Sequence, residues 1–191
     1  MPPLNRAFYA RPTVDVARDL LGKILRHGRA SARIVEVEAY LGENDAAAHC
    51  ASGLTRRTRV IFGRPGHAYV YLIYGMHYCL NIVAEPEGVA GCVLIRAVEP
   101  LAGIELPANG PGKLTRALGI TLEHYGSDLT RGPLTIHPAR RELEIGISPR
   151  IGIRKAVDLP LRFIIRGNRF VSKSTARAAA HNQDLARDVI R

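Results

Sequence analysis

Two carboxylates lie two positions apart in residues 33–41 (RIVEVEAYL), a segment that otherwise suits a buried β-strand. Because strand side chains alternate between faces, Glu36, Glu38 and Tyr40 are predicted to share one face, together with Ile34 before them. The opposite face is apolar and is predicted to point into the core; it consists of Val35, Val37, Ala39 and Leu41. A strand of this kind would hold its carboxylates in fixed positions, as acid–base chemistry requires.

The acidic face of this strand has two interpretations. It is either the ordinary solvated face of an antiparallel sheet, or it holds a carboxylate at the edge of a cleft, where it takes a proton from water. An acid and a base must flank the bond they hydrolyse, but residues i and i+2 project in parallel, about 6.5–7 Å apart along the strand. At most one of the two carboxylates is therefore expected to be catalytic.

Four tyrosines follow in residues 69–81 (YVYLIYGMHYCLN), and with Tyr40 they make five of the seven in the chain. The pattern predicts strands over residues 68–73 and 76–84, joined by a tight turn at Tyr74-Gly75. One interpretation is a tyrosine-rich core, because tyrosine packs well in strands. The other is base stacking, because a large aromatic residue at a turn contributes little to packing but can wedge between bases.

Basic residues dominate the charge of the chain. There are 27 Lys and Arg against 17 Asp and Glu, which gives a formal net charge of +10, and 23 of the 27 are arginine. An excess this large favours a nucleic-acid partner, because arginine binds phosphate in a bidentate manner and releases counterions. The loop at residues 55–59 (TRRTR) supplies three candidate phosphate contacts, which are Arg56, Arg57 and Arg59.

The remaining elements predict a mixed fold. A strand is expected at residues 92–98 (CVLIRAV), and its Arg96 needs a carboxylate or a phosphate as partner if it is buried. A short helix is expected at residues 113–118, and small strands and turns over residues 135–170.

We therefore predict an α+β fold: a single domain over residues 1–191, with a mixed, mostly antiparallel curved sheet, flanking helices and a protruding β-hairpin. The termini, residues 1–8 and 172–191, are expected to be poorly ordered.

Several classes of protein are excluded. Cys50, Cys79 and Cys92 are odd in number and widely spaced, which predicts no disulfide framework and a reducing, cytoplasmic location. No local zinc motif occurs, and residues 110–115 (GPGKLT) fail the template of a phosphate-binding loop. No apolar run approaches the roughly 20 residues of a membrane span. We expect no membrane association, metal or organic cofactor.

Six blocks of the sequence resemble the alkyladenine (3-methyladenine) DNA glycosylase family, in the same order and over nearly the whole chain. They are residues 36–49 (EVEAYLGENDAAAH), 62–81 (FGRPGHAYVYLIYGMHYCLN), 93–101 (VLIRAVEPL), 109–120 (NGPGKLTRALGI), 131–134 (RGPL) and 160–167 (PLRFIIRG). The resemblance implies a monofunctional base-excision-repair enzyme that hydrolyses the N-glycosidic bond of damaged purines and leaves an abasic site. The substrate class would be 3-methyladenine, 7-methylguanine, hypoxanthine and ethenoadenine in double-stranded DNA, and we expect a monomer.

The resemblance also implies roles for individual residues. Glu38 matches the general base that activates the attacking water, and Arg96 matches an arginine near that base and the target phosphate. The pocket for a flipped purine is matched by four residues, namely Tyr40, His49, Tyr71 and Asn81.

The hairpin tip is expected to contact DNA. Tyr74 matches the residue that replaces the flipped nucleotide in the stack, and Met76 and His77 are expected to contact the groove beside it. His77 stands where many relatives carry an aromatic residue, so this contact is expected to differ.

Two other functions remain open from the residues alone. The first is a non-catalytic nucleic-acid-binding module on the same fold, to which a carboxylate such as Glu38 would be of no use beside phosphates. The second is a small nucleoside hydrolase, which would not need a net charge of +10.

Overall fold

A curled antiparallel sheet organises the chain, and its long second strand carries the acidic segment. The computed structural model describes residues 1–139 and 142–172. The strands β1 to β8 are Ile24–His27, Ala30–Tyr40, Ala68–Ile73, His77–Val83, Cys92–Ala102, Leu134–His137, Ile145–Ser148 and Arg162–Ile165. The helices α1 to α3 are Arg6–Tyr9, Thr13–Leu20 and Pro111–Leu118, and short 3₁₀ turns are formed by Gly42–Asn44, His49–Ser52 and Leu122–His124.

Strand β2 lies at the branch point of the sheet. The strand order is β3-β4-β5-β2-β1-β6, and β8 pairs with β2 as well as with β7. On one edge β2 pairs with β5, while on the other it pairs first with β1 and then, at Glu36–Glu38, with β8. All pairings between the described strands are antiparallel. The predicted α+β class is confirmed.

A bulge changes the predicted alternation within β2. Ile34 pairs with Val98 and Glu36 with Ala97, so Val35 has no opposite residue in β5. Ile34 consequently packs in the main core and does not share the face of the acidic residues, as the simple alternation predicted. Leu41, predicted to be in the core, is 40% exposed because β2 ends at Tyr40.

The core has two parts. The main part packs α2 and α3 against the sheet through buried stripes that include Val16, Leu20, Leu114 and Leu118. A smaller part lies beneath the tyrosine-rich strands and includes Cys50, Ile61, Tyr69, Val83 and Cys92. Tyr69 is therefore core-filling, as one interpretation of the tyrosine cluster proposed.

The ends of the described chain are attached to this framework. The Leu4 N–H donates to the Ile136 carbonyl at 2.7 Å, and the Asn5 side chain caps α1 by accepting from the Phe8 N–H. Residues 4 and 5 are thus hydrogen-bonded to β6 and to α1. Ser172 contacts Glu36 in the sheet, and residues 173–191 of the predicted tail lie outside the described residues. No helix in the described ranges is both long and apolar enough to cross a membrane.

Candidate active site

Glu38 lies in a fully buried polar cluster on β2. Its side chain is 0% exposed. One carboxylate oxygen, Oε1, accepts from the Ile151 N–H at 2.7 Å and lies 3.3 Å from Arg96 Nη1. The other, Oε2, accepts from the Tyr40 hydroxyl at 3.0 Å. Both oxygens thus face hydrogen-bond donors, which hold the carboxylate in one orientation.

The surroundings of Glu38 change its acidity. Burial raises the pKa of Glu38 above its ordinary value of 4.5, while Arg96, the Ile151 N–H and the Tyr40 hydroxyl act in the opposite direction. Burial also raises the pKa of Tyr40, so this phenol keeps its proton at neutral pH and remains a donor. The result is a carboxylate that binds a proton more readily than an exposed glutamate does.

Arg96 lies between the two carboxylates of β2. The β2–β5 register passes from Glu36–Ala97 to Val37–Ile95, so Arg96 has no opposite residue and turns towards the acidic face. Its Nε lies 3.1 Å from Glu36 Oε1. The partner that the sequence demanded for a buried Arg96 is thus a pair of carboxylates.

Glu36 has a structural role in this cluster. It is 0% exposed, and its oxygens also accept from Arg162 Nε at 2.7 Å and from the Ser172 N–H and hydroxyl at 2.6 and 2.8 Å. The interpretation of the acidic strand face as an ordinary solvated face is therefore wrong. Arg162, which lies on β8 beside β2, and Ser172 cover Glu36 on that face.

A cavity of about 480 Å³ opens beside Arg96. All four residues predicted for the pocket line it, namely Tyr40, His49, Tyr71 and Asn81. Its lining also includes the buried Cys79, Cys92 and Leu94. The exposed lining residues, which include Tyr74, Arg154 and Lys155, form its mouth. Such an aromatic cavity has the chemistry to hold a planar heterocycle.

His49 is oriented by the aromatic wall of this cavity. Its Nδ1 lies 2.9 Å from the Tyr69 hydroxyl, and its ring meets the Tyr71 ring edge to face with centroids 4.6 Å apart. Burial, and then the positive charge of Arg57, lower the pKa of His49 to about 4. The imidazole is therefore neutral at pH 7.

Asn81 lies at the bottom of the cavity, on β4. It is 3% exposed, and its Nδ2 donates to the Tyr69 carbonyl at 3.1 Å across the β3–β4 pair. This bond fixes the amide plane relative to Tyr69 and Tyr71.

The hairpin tip presents large side chains to solvent. Tyr74 is 81% exposed and Met76 71%. Tyr74 and Gly75 have φ values of +53° and +68°, as both central residues of a type I′ turn require. His77 is exposed and packs against α3 at Gly112, where a Cβ would approach the His77 Cβ to 2.9 Å. The turn therefore holds Tyr74 away from the sheet, as the sequence predicted.

The three loop arginines are exposed but differ in their contacts. Arg57 Nε donates to the Tyr69 hydroxyl at 3.2 Å, and its guanidinium carbon lies 5.1 Å from the Tyr71 ring centroid. Arg56 and Arg59 form no ion pair or side-chain hydrogen bond with any described residue. These two remain available to an external anion.

A buried ion pair supports the site from behind. Arg150 binds Asp45 with two nitrogens, and both side chains are 0% exposed. Arg150 also donates to the Ala39 carbonyl at 3.0 Å, and its guanidinium carbon lies 4.6 Å from the Tyr40 ring centroid. The pair fixes both Tyr40 and the segment that carries Ile151.

Comparison with known proteins agrees with this arrangement. A family model described as methylpurine-DNA glycosylase matches residues 7–169. The chain belongs to the methylpurine-DNA glycosylase family. The resemblance seen in the sequence is thus confirmed, and the protein is a DNA glycosylase, a DNA-repair hydrolase of N-glycosyl bonds. The alternatives of a non-catalytic binding module and of a small nucleoside hydrolase are therefore wrong.

The matches to individual relatives extend over nearly the whole length of each relative. A protein of Methanoculleus marisnigri named "Putative 3-methyladenine DNA glycosylase" is 48% identical over 190 residues, which are 89% of this chain and 98% of the relative. Proteins of the same name from Koribacter versatilis and Methanocella arvoryzae are 48% and 47% identical over 194 residues. These two matches cover 94% and 97% of the relatives, and 90% and 91% of this chain.

Sequence reasoning missed part of this glycosylase site. The missed residues are Asp45, Arg150, Ile151, Arg154 and Lys155. An arginine within the apolar run of residues 149–153 (PRIGI) was the available signal, by the same argument that singled out Arg96. Within residues 1–139 and 142–172, no group of three or more His, Cys, Asp or Glu side chains is arranged to hold a metal ion.

Proposed function

We propose that this glycosylase removes damaged purines from double-stranded DNA by flipping the nucleotide and attacking C1′ with a water that Glu38 activates. The observation that carries the proposal is the position of Glu38, buried behind the cavity wall with its orientation fixed by three donors. The damaged bases are purines of the 3-methyladenine, 7-methylguanine, hypoxanthine and ethenoadenine class. The product is an abasic site, and we expect a cytoplasmic monomer.

The chemistry follows from a single carboxylate. Glu38 takes a proton from water, the water oxygen bonds to C1′, and the electron pair of the C1′–N bond leaves with the base. The negative charge of Glu38 also stabilises the positive charge that develops on the sugar. Since Glu38 is covered in the free protein, a water reaches Oε1 when the 3.3 Å contact with Arg96, the longest of its three, lengthens. Arg96 borders both the cavity and the carboxylate, so it is placed to guide that water.

The cavity wall suits an alkylated purine. Tyr40 and Tyr71 keep their protons, because burial raises the pKa of both phenols. Their rings offer cation–π contacts, each worth about 0.5–2 kcal/mol, to a purine that alkylation has made positive. Such a base also leaves readily, because it departs as a neutral molecule.

The surface around the mouth suits duplex DNA. Arg154 and Lys155 at the mouth, and Arg56 and Arg59 in the nearby loop, place positive charge where phosphates would lie. Tyr74 is positioned on the protruding turn to fill the space that a flipped nucleotide leaves.

One experiment tests the reaction. Duplexes that carry each of the four lesions are incubated with the wild-type protein and with Glu38→Gln, and alkali-labile abasic sites are counted. We expect the wild type to release at least one lesion, and Glu38→Gln to bind the same duplex but release it at least about 100-fold more slowly. If no lesion yields abasic sites, or Glu38→Gln remains fully active, the proposal is wrong.

A further inference from the structure

Arg57 turns back from the loop onto the aromatic wall of the cavity. Its Nε donates to the Tyr69 hydroxyl at 3.2 Å, and its Nη2 lies 3.5 Å from His49 Nδ1. Its guanidinium also lies over the Tyr71 ring. The Tyr125 hydroxyl donates to the Arg57 carbonyl at 3.2 Å, which fastens the loop at this residue.

The donors and acceptors along this chain determine where the protons lie. A guanidinium has only donors, so the Tyr69 oxygen accepts from Arg57 and its own proton points elsewhere. His49 Nδ1 lies 2.9 Å from that oxygen and is the acceptor for this proton. In the neutral imidazole the remaining proton must then be on Nε2. Arg57 therefore donates to the Tyr69 hydroxyl, and the Tyr69 hydroxyl donates to His49 Nδ1.

We propose that Arg57 is a positioning residue that acts through the Tyr69 hydroxyl. It fixes the His49 ring in the Nε2–H form, with that N–H left for the cavity, and it holds Tyr71 by stacking on it. The role in excision rests on the proposed function, whereas the state of the His49 ring does not. Arg57 thus differs from Arg56 and Arg59, whose side chains make no such contacts with the described residues.

The competing role for Arg57 is a phosphate contact in the DNA complex. A phosphate-binding arginine contributes mainly to affinity, and its loss flattens the dependence of binding on salt by about 0.9 in the log–log slope. A positioning residue contributes to the rate after binding and leaves that slope unchanged. The two roles therefore predict different measurements for the same variant.

The first measurement is made on the free protein. The ¹⁵N chemical shifts of the histidine ring distinguish the two neutral forms, and a His49→Gln spectrum assigns the signal. We expect the Nε2–H form in the wild type and in Arg56→Gln, and a mixture of both forms in Arg57→Gln and in Tyr69→Phe. Arg57→Lys keeps the charge without the planar Nε donor, and we expect the mixture there too. An unchanged Nε2–H form in Arg57→Gln would overturn the proposal.

The second measurement is single-turnover excision at saturating enzyme. Loss of one oriented hydrogen bond corresponds to about a tenfold slower rate, which we expect for Arg57→Gln and for Tyr69→Phe. The double variant should be no slower than the slower single variant, because both changes break one chain of bonds. Multiplied losses in the double variant, or a flattened salt slope in Arg57→Gln with a wild-type rate, would also overturn it. If the wild type excises no lesion, the proposed function fails, while the ring measurement still decides whether Arg57 positions His49.

Discussion

Tyr40 connects the proposed base Glu38, the cavity and the Asp45–Arg150 ion pair through one side chain. Its hydroxyl donates to Glu38, its ring lines the cavity, and the Arg150 guanidinium packs on that ring. The hydrogen bond to Glu38 favours the ionised carboxylate and so lowers the pKa that burial has raised. A residue that forms part of the cavity wall therefore also influences the acidity of the carboxylate behind it.

The acidity of Glu38 should be visible in the pH dependence of excision. The active form is the carboxylate, so activity is lost as the pH falls through the raised pKa, at a pH above the ordinary 4.5. Tyr40→Phe keeps the ring but removes the hydroxyl, and it should move this acidic limb to still higher pH. Single-turnover excision of hypoxanthine over an acidic pH series measures this limb in the wild type and in Tyr40→Phe. Superimposable profiles of the wild type and Tyr40→Phe would show that the hydroxyl does not tune Glu38.

At the scale of elements, the acidic strand was predicted from local pattern, and its surroundings were not. The sequence located Glu38, Tyr40 and the hairpin turn, because their signals lie within a few residues of one another. It did not predict that Glu36 is buried, because the partners Arg162 and Ser172 lie 126 and 136 residues away. The bulge at Val35 was missed for a related reason, since only the pairing with β5 reveals it.

The burial of Glu36 predicts an effect on stability. Glu36→Gln would leave Arg96 and Arg162 with one carboxylate fewer in a buried cluster, which should cost about 3–5 kcal/mol in the free energy of unfolding. Glu36 does not line the cavity, so the protein that remains folded at low temperature should still excise. Urea unfolding measures the loss. Glu144→Gln is the control: Glu144 is 80% exposed in its pair with Arg166, and its loss should cost at most about 1 kcal/mol. Equal effects of the two changes would contradict the structural role of Glu36.

The β3–β4 hairpin makes a separate prediction for flipping. Tyr74→Ser removes a stacking group worth about 1–3 kcal/mol, so the flipped nucleotide should return to the duplex more readily. The loss should be larger for a well-paired lesion than in a mismatch, where unpairing is already easy. Single-turnover excision of hypoxanthine opposite cytosine and opposite thymine, with wild type and variant, measures the difference. A defect of equal size in both contexts would mean that Tyr74 is not the wedge.

At the scale of the whole molecule, positively charged residues lie near both ends of the long strand β2. The proposed base Glu38 and the cavity lie at the carboxyl end of β2, beside Arg154 and Lys155. The turn before β2 carries the exposed Arg29 at the opposite end. An 11-residue strand that rises about 3.3 Å per residue separates the two ends by at most roughly 35 Å. The net charge of +10 attracts DNA to the whole surface, whereas the phosphate contacts that we propose lie at the end that holds the cavity.

This separation predicts which arginines control the salt dependence of binding. Each phosphate contact contributes about −0.9 to the slope of log affinity against log salt concentration. Arg154→Gln should therefore flatten the slope by up to about one unit, whereas Arg29→Gln removes the same charge from the far end and should leave it unchanged. Fluorescence anisotropy with an undamaged duplex at several salt concentrations measures both slopes without any base release. If Arg29→Gln flattens the slope as much as Arg154→Gln does, binding depends on overall charge alone, and the mouth of the cavity is not the DNA-contacting face.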